Sequence, residues 1–132
     1  MVIEVACGVI LDGDKVLCVQ RSETMSLPLK WEFPGGKIEL GETAEVCLIR
    51  ELAEELEIRV SIIEKLSNSC FDYGNIEINL IPYICQFLGD KIILKEHKVY
   101  LWLPPNELSL LDWAPADLPI VKEIISRNKK DH

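Results

Sequence analysis

Apolar and polar positions divide the chain into strand-like and helix-like stretches. Val2 to Leu11 is almost continuously apolar, and Lys15 to Gln20 resumes the same pattern after Asp12-Gly13-Asp14. Short apolar runs on either side of an Asp-Gly turn predict a hairpin. Both faces of the first strand are apolar, which places it inside a sheet covered on both sides. Residues 22–30 are polar, contain Pro28 and read as a loop. Trp31-Glu32-Phe33 is expected to be a short strand broken by Pro34-Gly35-Gly36.

Thr43 to Leu56 has the periodicity of a helix. Leu48, Leu52 and Leu56 form one apolar stripe, no Gly or Pro interrupts them, and Thr43 is the expected N-cap. Strand patterns return over Ser61–Tyr73, Ile76–Phe87 and Lys98–Leu103, with turns at Gly74-Asn75 and Gly89-Asp90. Pro104-Pro105-Asn106 opens a short helical stretch over Glu107–Leu111, and Asp117 precedes a last helix over Leu118–Arg127. Leu118, Val121 and Ile125 are the inward face expected for that helix. Strands and helices in this order suggest an α/β fold with a mixed sheet packed between helices.

Composition narrows the function. A chain of 132 residues, 48% hydrophobic and 27% charged, is expected to form one domain over 1–132. Its formal net charge of −8 lacks the basic footprint of a protein that binds duplex nucleic acid. An acidic protein still binds a polyanion when divalent cations lie between its carboxylates and the phosphates. No apolar stretch reaches the roughly 20 residues of a membrane span, and no basic region precedes the first apolar run. Cys7, Cys18, Cys47, Cys70 and Cys85 lack the close spacing of a zinc site. They read as free thiols in a reducing compartment, so a cytoplasmic location is expected.

The chemistry concentrates between Gly36 and Ile58. Glu51, Glu54 and Glu55 stand at i, i+3 and i+4 of the expected helix and share one face. Like charges so placed repel, but a carboxylate cluster suits Mg²⁺, which takes hard oxygen ligands together with substrate phosphates. The glycine turn before the helix lets backbone approach a metal or phosphate, and Lys37 adds a positive charge beside it. Without that context, the glutamates would read as a solvated helix face.

Gly36, Glu42, Arg50, Glu51, Leu52, Glu54, Glu55 and Ile58 stand at the spacing of the Nudix box, and the segment resembles it. The departure is Glu57, where that family has glycine; this residue is expected to extend the helix or end it differently. The resemblance implies a Nudix-type α/β/α sandwich. It also implies metal ligation by Glu51, Glu54, Glu55 and the Gly35 carbonyl, with Glu51 able to act as general base. Arg50 and Glu42 would pair to hold loop and helix together, and Lys37 would meet phosphate. The implied cofactor is Mg²⁺, with Mn²⁺ able to replace it.

Trp31–Glu42 is similar to the MutT branch, which acts on oxidised guanine nucleotides. Ala114–Ile120 is similar to CTP pyrophosphohydrolases. In these relatives a residue matching Asp117 meets the base edge; ionised, it would accept hydrogen bonds and donate none. Alternatively, Asp117 is the N-cap of the last helix. Arg21 matches a polar position near phosphate or base, against the alternative of a surface arginine. Glu96 matches a loop acid near the metals, against a solvated charge. Phe33 would line the base pocket or serve as a core aromatic. His97 is expected to take no part in the chemistry. The implied partner is a small nucleotide, held by a monomer or homodimer with no membrane contact. The implied reaction converts a nucleoside triphosphate such as 8-oxo-dGTP, CTP or dCTP to a monophosphate and pyrophosphate. Hydrolysis of ADP-ribose or another nucleoside diphosphate derivative is one alternative, and a non-catalytic nucleotide-binding module is another.

Overall fold

The computed structural model describes residues 1–130. Eight strands form one mixed sheet: β1 (Val2–Asp12), β2 (Lys15–Gln20), β3 (Trp31–Glu32), β4 (Gly35–Lys37), β5 (Arg59–Lys65), β6 (Ser69–Asp72), β7 (Glu77–Leu88) and β8 (Val99–Leu103). The central order is β3-β2-β1-β7-β5; β4 adds to β1, β6 to β7 and β8 to β2. The long β1 and β7 run parallel, and the other pairs are antiparallel.

Alternation along β1 and β2 creates the two sides of the sandwich. Cys7, Val9, Val16 and Cys18 join one core cluster with Ile120, Val121 and Ile124 of helix α2 (Leu118–Lys130). Ala6, Ile10, Leu17 and Val19 join the other, with Leu48, Leu52 and Leu56 of helix α1 (Ala44–Leu56). Successive side chains of a strand point to opposite faces, so a doubly apolar β1 requires cover on both. The leucine stripe of α1 is the cover on one face.

Thr43 caps α1 by accepting from the Val46 N–H at 3.2 Å. At the other end Glu57 takes the left-handed conformation, φ 54° and ψ 41°, and its N–H reaches the Leu52 carbonyl. The helix therefore ends as it would with glycine, at a steric cost of roughly 1 kcal/mol for a side chain in that region. Glu57→Gly is expected to raise stability by about 0.5–1 kcal/mol. The Glu57–Lys95 pair that it removes is half-exposed and adds little. A urea titration giving a lower midpoint would contradict this reading.

Several expected boundaries change. Gly35–Lys37 is not a break but a strand, with Gly35 opposite Cys7 and Gly36 opposite Ala6. A Cβ on Gly35 would strike the β1 backbone, so the glycine permits the pairing. Phe33 leaves the ladder because its N–H goes to the Asp117 carboxylate. The expected strand Ser61–Tyr73 is two strands, which pair with different halves of β7. The changeover lies at Pro82, which has no N–H to donate and whose carbonyl receives the Leu66 N–H at 2.9 Å.

The short helical stretch is a 3-10 helix over Pro105–Leu110, and another over Pro115–Asp117 leads into α2. That lead-in sets the phase of α2. Ile120, Val121 and Ile124 are buried, whereas Leu118 is 40% exposed and Ile125 is half-buried. No helix of the described residues is long and apolar enough to cross a membrane.

Candidate active site

β4 carries Gly35, Gly36 and Lys37 directly into the loop that precedes α1. α1 then sets Glu51 behind Gly36: a Cβ on Gly36 would fall inside the Glu51 carboxylate. The missing side chain creates the space that this carboxylate occupies.

Arg50 fastens the loop to the helix. Its Nε donates to Glu42 Oε2 at 2.6 Å and its Nη2 to Glu42 Oε1 at 2.9 Å, a bidentate pair. Its Nη1 reaches Glu51 at 3.1 Å and Glu54 at 3.2 Å. The guanidinium, together with the Glu39 N–H, holds Glu42 down at about 2. Arg50 is absent from the cavity lining and grips the loop instead.

A cavity of about 630 Å³ opens beside these elements. Gly35, Gly36, Lys37 and Glu55 line one part of it. Desolvation pushes the Glu55 carboxyl up to about 8, reinforced by the charges of Glu51, Glu96 and Glu32. Glu96, on the exposed loop before β8, thus lies within electrostatic reach of the α1 acids. Glu54 is mostly exposed and leans toward Arg50.

Among the described residues, no three acid, histidine or cysteine side chains converge closely enough to hold a metal by themselves. Arg50 draws Glu51 and Glu54 aside, and the like charges repel. A divalent cation nevertheless fits the donor set. Glu55 is desolvated among carboxylates, and a cation there would favour its ionised form. Mg²⁺ keeps waters and takes substrate phosphates, so it needs no closed protein cage.

The rest of the lining is more apolar and includes Phe33, Ile78, Leu80, Ala116 and Asp117. Phe33 stacks on Trp113 with ring centroids 4.7 Å apart and an interplanar angle of 30°. It is therefore both core aromatic and cavity wall. Asp117 is 5% exposed, and its Oδ2 accepts the Phe33 N–H at 3.0 Å. That bond is made across the site and not to the first turn of α2. Burial, and secondarily Glu32, raises the Asp117 carboxyl well above its ordinary range, while the Phe33 N–H and Arg21 oppose the rise. The neutral form, which can donate as well as accept, is thereby favoured. The depth of burial behind this rise is a tertiary property that no local sequence pattern shows.

Arg21 lines the cavity and is fully engaged: its Nη1 pairs with Glu32 at 2.8 Å, and its Nε and Nη2 bind Ser26. Glu32 and Tyr73 are among the lining residues that the sequence does not single out. Glu32 follows Trp31 on a two-residue strand and precedes Phe33, and the Tyr73 hydroxyl accepts the Ala116 N–H. An acid alternating with Trp31 and Phe33 was the available signal for Glu32. Nothing local distinguishes Tyr73.

A NUDIX domain model matches residues 2–124. The chain belongs to the Nudix family. A CTP pyrophosphohydrolase of Escherichia coli (strain K12) is 30% identical over 124 residues, covering 94% of this chain and 92% of its own. An 8-oxo-dGTP diphosphatase of the same organism is 29% identical over 126 residues, covering 92% and 95%. The solution structure of the DNA mismatch repair protein MutT from methicillin-resistant Staphylococcus aureus 252 is 43% identical, with a TM-score of 0.79 over 96% of this chain and 98% of that one. The Nudix box is the stretch in which β4, the loop and α1 place glycine against glutamate. Nudix hydrolases generally use a divalent metal ion, which agrees with the oxygen-rich donor set.

Proposed function

We propose that this Nudix hydrolase converts a nucleoside triphosphate, 8-oxo-dGTP or CTP/dCTP, to its monophosphate and pyrophosphate with Mg²⁺. The carrying observation is one cavity that joins an aromatic wall and a buried carboxyl to a glycine strand and a carboxylate helix. The first part suits a base, and the second suits charged phosphates and their metal.

Glu51, Glu54, Glu55 and the Gly35 carbonyl would hold Mg²⁺, with Mn²⁺ as a substitute. When bound, the ion neutralises phosphate charge and makes a water more acidic. Lys37 offsets further phosphate charge at the cavity edge. Water attacks the β-phosphorus, its oxygen forms the new P–O bond, and the bridging bond to the α-phosphate oxygen breaks. Glu51 receives the water proton on Oε2, since Oε1 is held by Arg50; Glu96 can assist as a second base from its loop. Arg50 acts through position, keeping Glu51 and the glycine strand in register. Phe33 offers its face to the base, Asp117 offers a donor and an acceptor to the base edge, and Arg21 shapes the adjacent wall. The chain acts as a single cytoplasmic domain, monomer or homodimer, consistent with its five free cysteines.

The test is product release with Mg²⁺ from 8-oxo-dGTP, dGTP, CTP, dCTP and ADP-ribose at equal concentration. Preference for 8-oxo-dGTP over dGTP assigns Asp117 to a purine edge. Preference for CTP or dCTP assigns it to a cytosine edge. Turnover of ADP-ribose alone would overturn the substrate class.

A further inference from the structure

His97, expected to take no part in the chemistry, lines the cavity with a side chain only 2% exposed. Its Nε2 lies 2.8 Å from Glu32 Oε2. The other Glu32 oxygen accepts from Arg21 at 2.8 Å, so the two Glu32 oxygens are divided between Arg21 and His97. His97 Nδ1 is buried and has no partner among the described residues, so Glu32 is the ring's one polar anchor. A buried ring nitrogen left without a partner is destabilising, so the Nε2 contact to Glu32 carries the polar satisfaction of this ring.

The contact continues beyond Glu32. Arg21 donates through Nε to the Ser26 carbonyl at 2.6 Å and through Nη2 to the Ser26 hydroxyl at 2.9 Å. Ser26 lies in the 22–30 loop, from which Met25, Ser26 and Leu27 line the cavity. Leu27 and Leu29 hold positive φ of 49° and 64°. A leucine rarely adopts that conformation without restraint from its surroundings. The loop is also tied by backbone bonds between Arg21 and Lys30 and between Leu29 and Arg21, and by side-chain ties of Lys98 to Glu23, Lys30 to Asp112 and Gln20 to the Leu29 carbonyl, which are solvent-exposed. The restraint that starts from a buried side chain runs from His97 through half-buried Glu32 and Arg21 to exposed Ser26.

We propose that His97 is a positioning residue: it fixes Glu32, and through Arg21 and Ser26 it holds the 22–30 loop in place over the nucleotide cavity. It touches no reacting atom. The effect on nucleotide binding rests on the proposed hydrolase function, whereas the effect on the loop does not.

The experiment compares His97→Ala, His97→Gln and Glu32→Gln with the wild type by amide hydrogen exchange, without nucleotide, and by steady-state kinetics. His97→Ala is expected to speed exchange in residues 22–30 about tenfold and to raise KM about tenfold, with kcat within about twofold of the wild type. His97→Gln keeps an N–H for Glu32 and restores both quantities toward wild type. Adding Glu32→Gln to His97→Ala changes little further, as for members of one chain. Unchanged loop exchange in His97→Ala overturns the proposal, as does a fall in kcat at constant KM. If His97→Ala does not fold, Glu32→Gln must speed loop exchange while His97→Gln does not; the reverse overturns it. A wild type inactive on every nucleotide, with loop exchange still responding to His97→Ala, sinks the hydrolase assignment and leaves the loop restraint standing.

Discussion

Glu51→Gln is expected to lower kcat by about 10³-fold or more while leaving the fold intact. The side chains are nearly isosteric, and the glutamine oxygen can still accept from Arg50, which keeps its bidentate hold on Glu42. What disappears is a negative charge and a base at the α1 acid set against Gly36. Removing that charge also relieves Glu55, whose carboxyl Glu51 helps to push up to about 8. In the unrelieved wild type this group carries a raised folded-state value, so its neutral form contributes stability below the unfolded value. That contribution is lost as pH rises through about 8. Metal-free Glu51→Gln should therefore lose less stability than the wild type over that rise, and should gain less from added Mg²⁺. Thermal melts with and without Mg²⁺ check both statements. Near-normal turnover would remove Glu51 from its assigned role.

Gly36→Ala is the second large effect. β4 is fixed by its pairing with β1, so the new Cβ cannot retreat with the backbone. The Glu51 carboxylate must move instead. A displacement of about 1 Å in a catalytic constellation costs on the order of 10²-fold in rate. The accompanying loss of stability should be about 1–3 kcal/mol, the usual range for overpacking. Gly13→Ala provides the contrast. Gly13 has φ 65° in the β1–β2 turn, and nothing lies within 4 Å of its Cβ position. It should cost stability of about 1 kcal/mol and leave kcat unchanged. Equal rate losses in the two variants would show that Gly36 acts through general stability and not through Glu51.

The parts of this protein legible in its sequence are those written in local periodicity. The leucines of α1 repeat with the helix, Thr43 stands where a cap belongs, and β1 is apolar on both faces because it separates two cores. The box acids are legible because their spacing is also local. What escaped depends on partners distant in the chain. Gly35 and Gly36 look like a break until β1 lies against them. Pro82 divides the partner strands of β7, so the split between β5 and β6 is written in a different strand. Asp117 accepts from the Phe33 N–H, 84 positions away, a partner that no local pattern announces. Glu32 and His97, 65 positions apart, acquire meaning only when they meet.

Glu57 shows the reverse relation. The residue type departs from the glycine of the Nudix box, yet the backbone keeps the left-handed helix end. Packing of Ile58 and Val60 into the core under α1 fixes the direction of the chain there, and the side chain is carried into a strained region. The departure therefore bears on stability and leaves the acids of the box in place.

The most direct test of the account is the identity of the products formed by the wild-type protein from its preferred triphosphate, before and after chelation of divalent metal. Nucleoside monophosphate and pyrophosphate are expected in equal amounts, with turnover abolished by chelation and restored by Mg²⁺. Release of orthophosphate with a nucleoside diphosphate, or turnover indifferent to chelation, would contradict it.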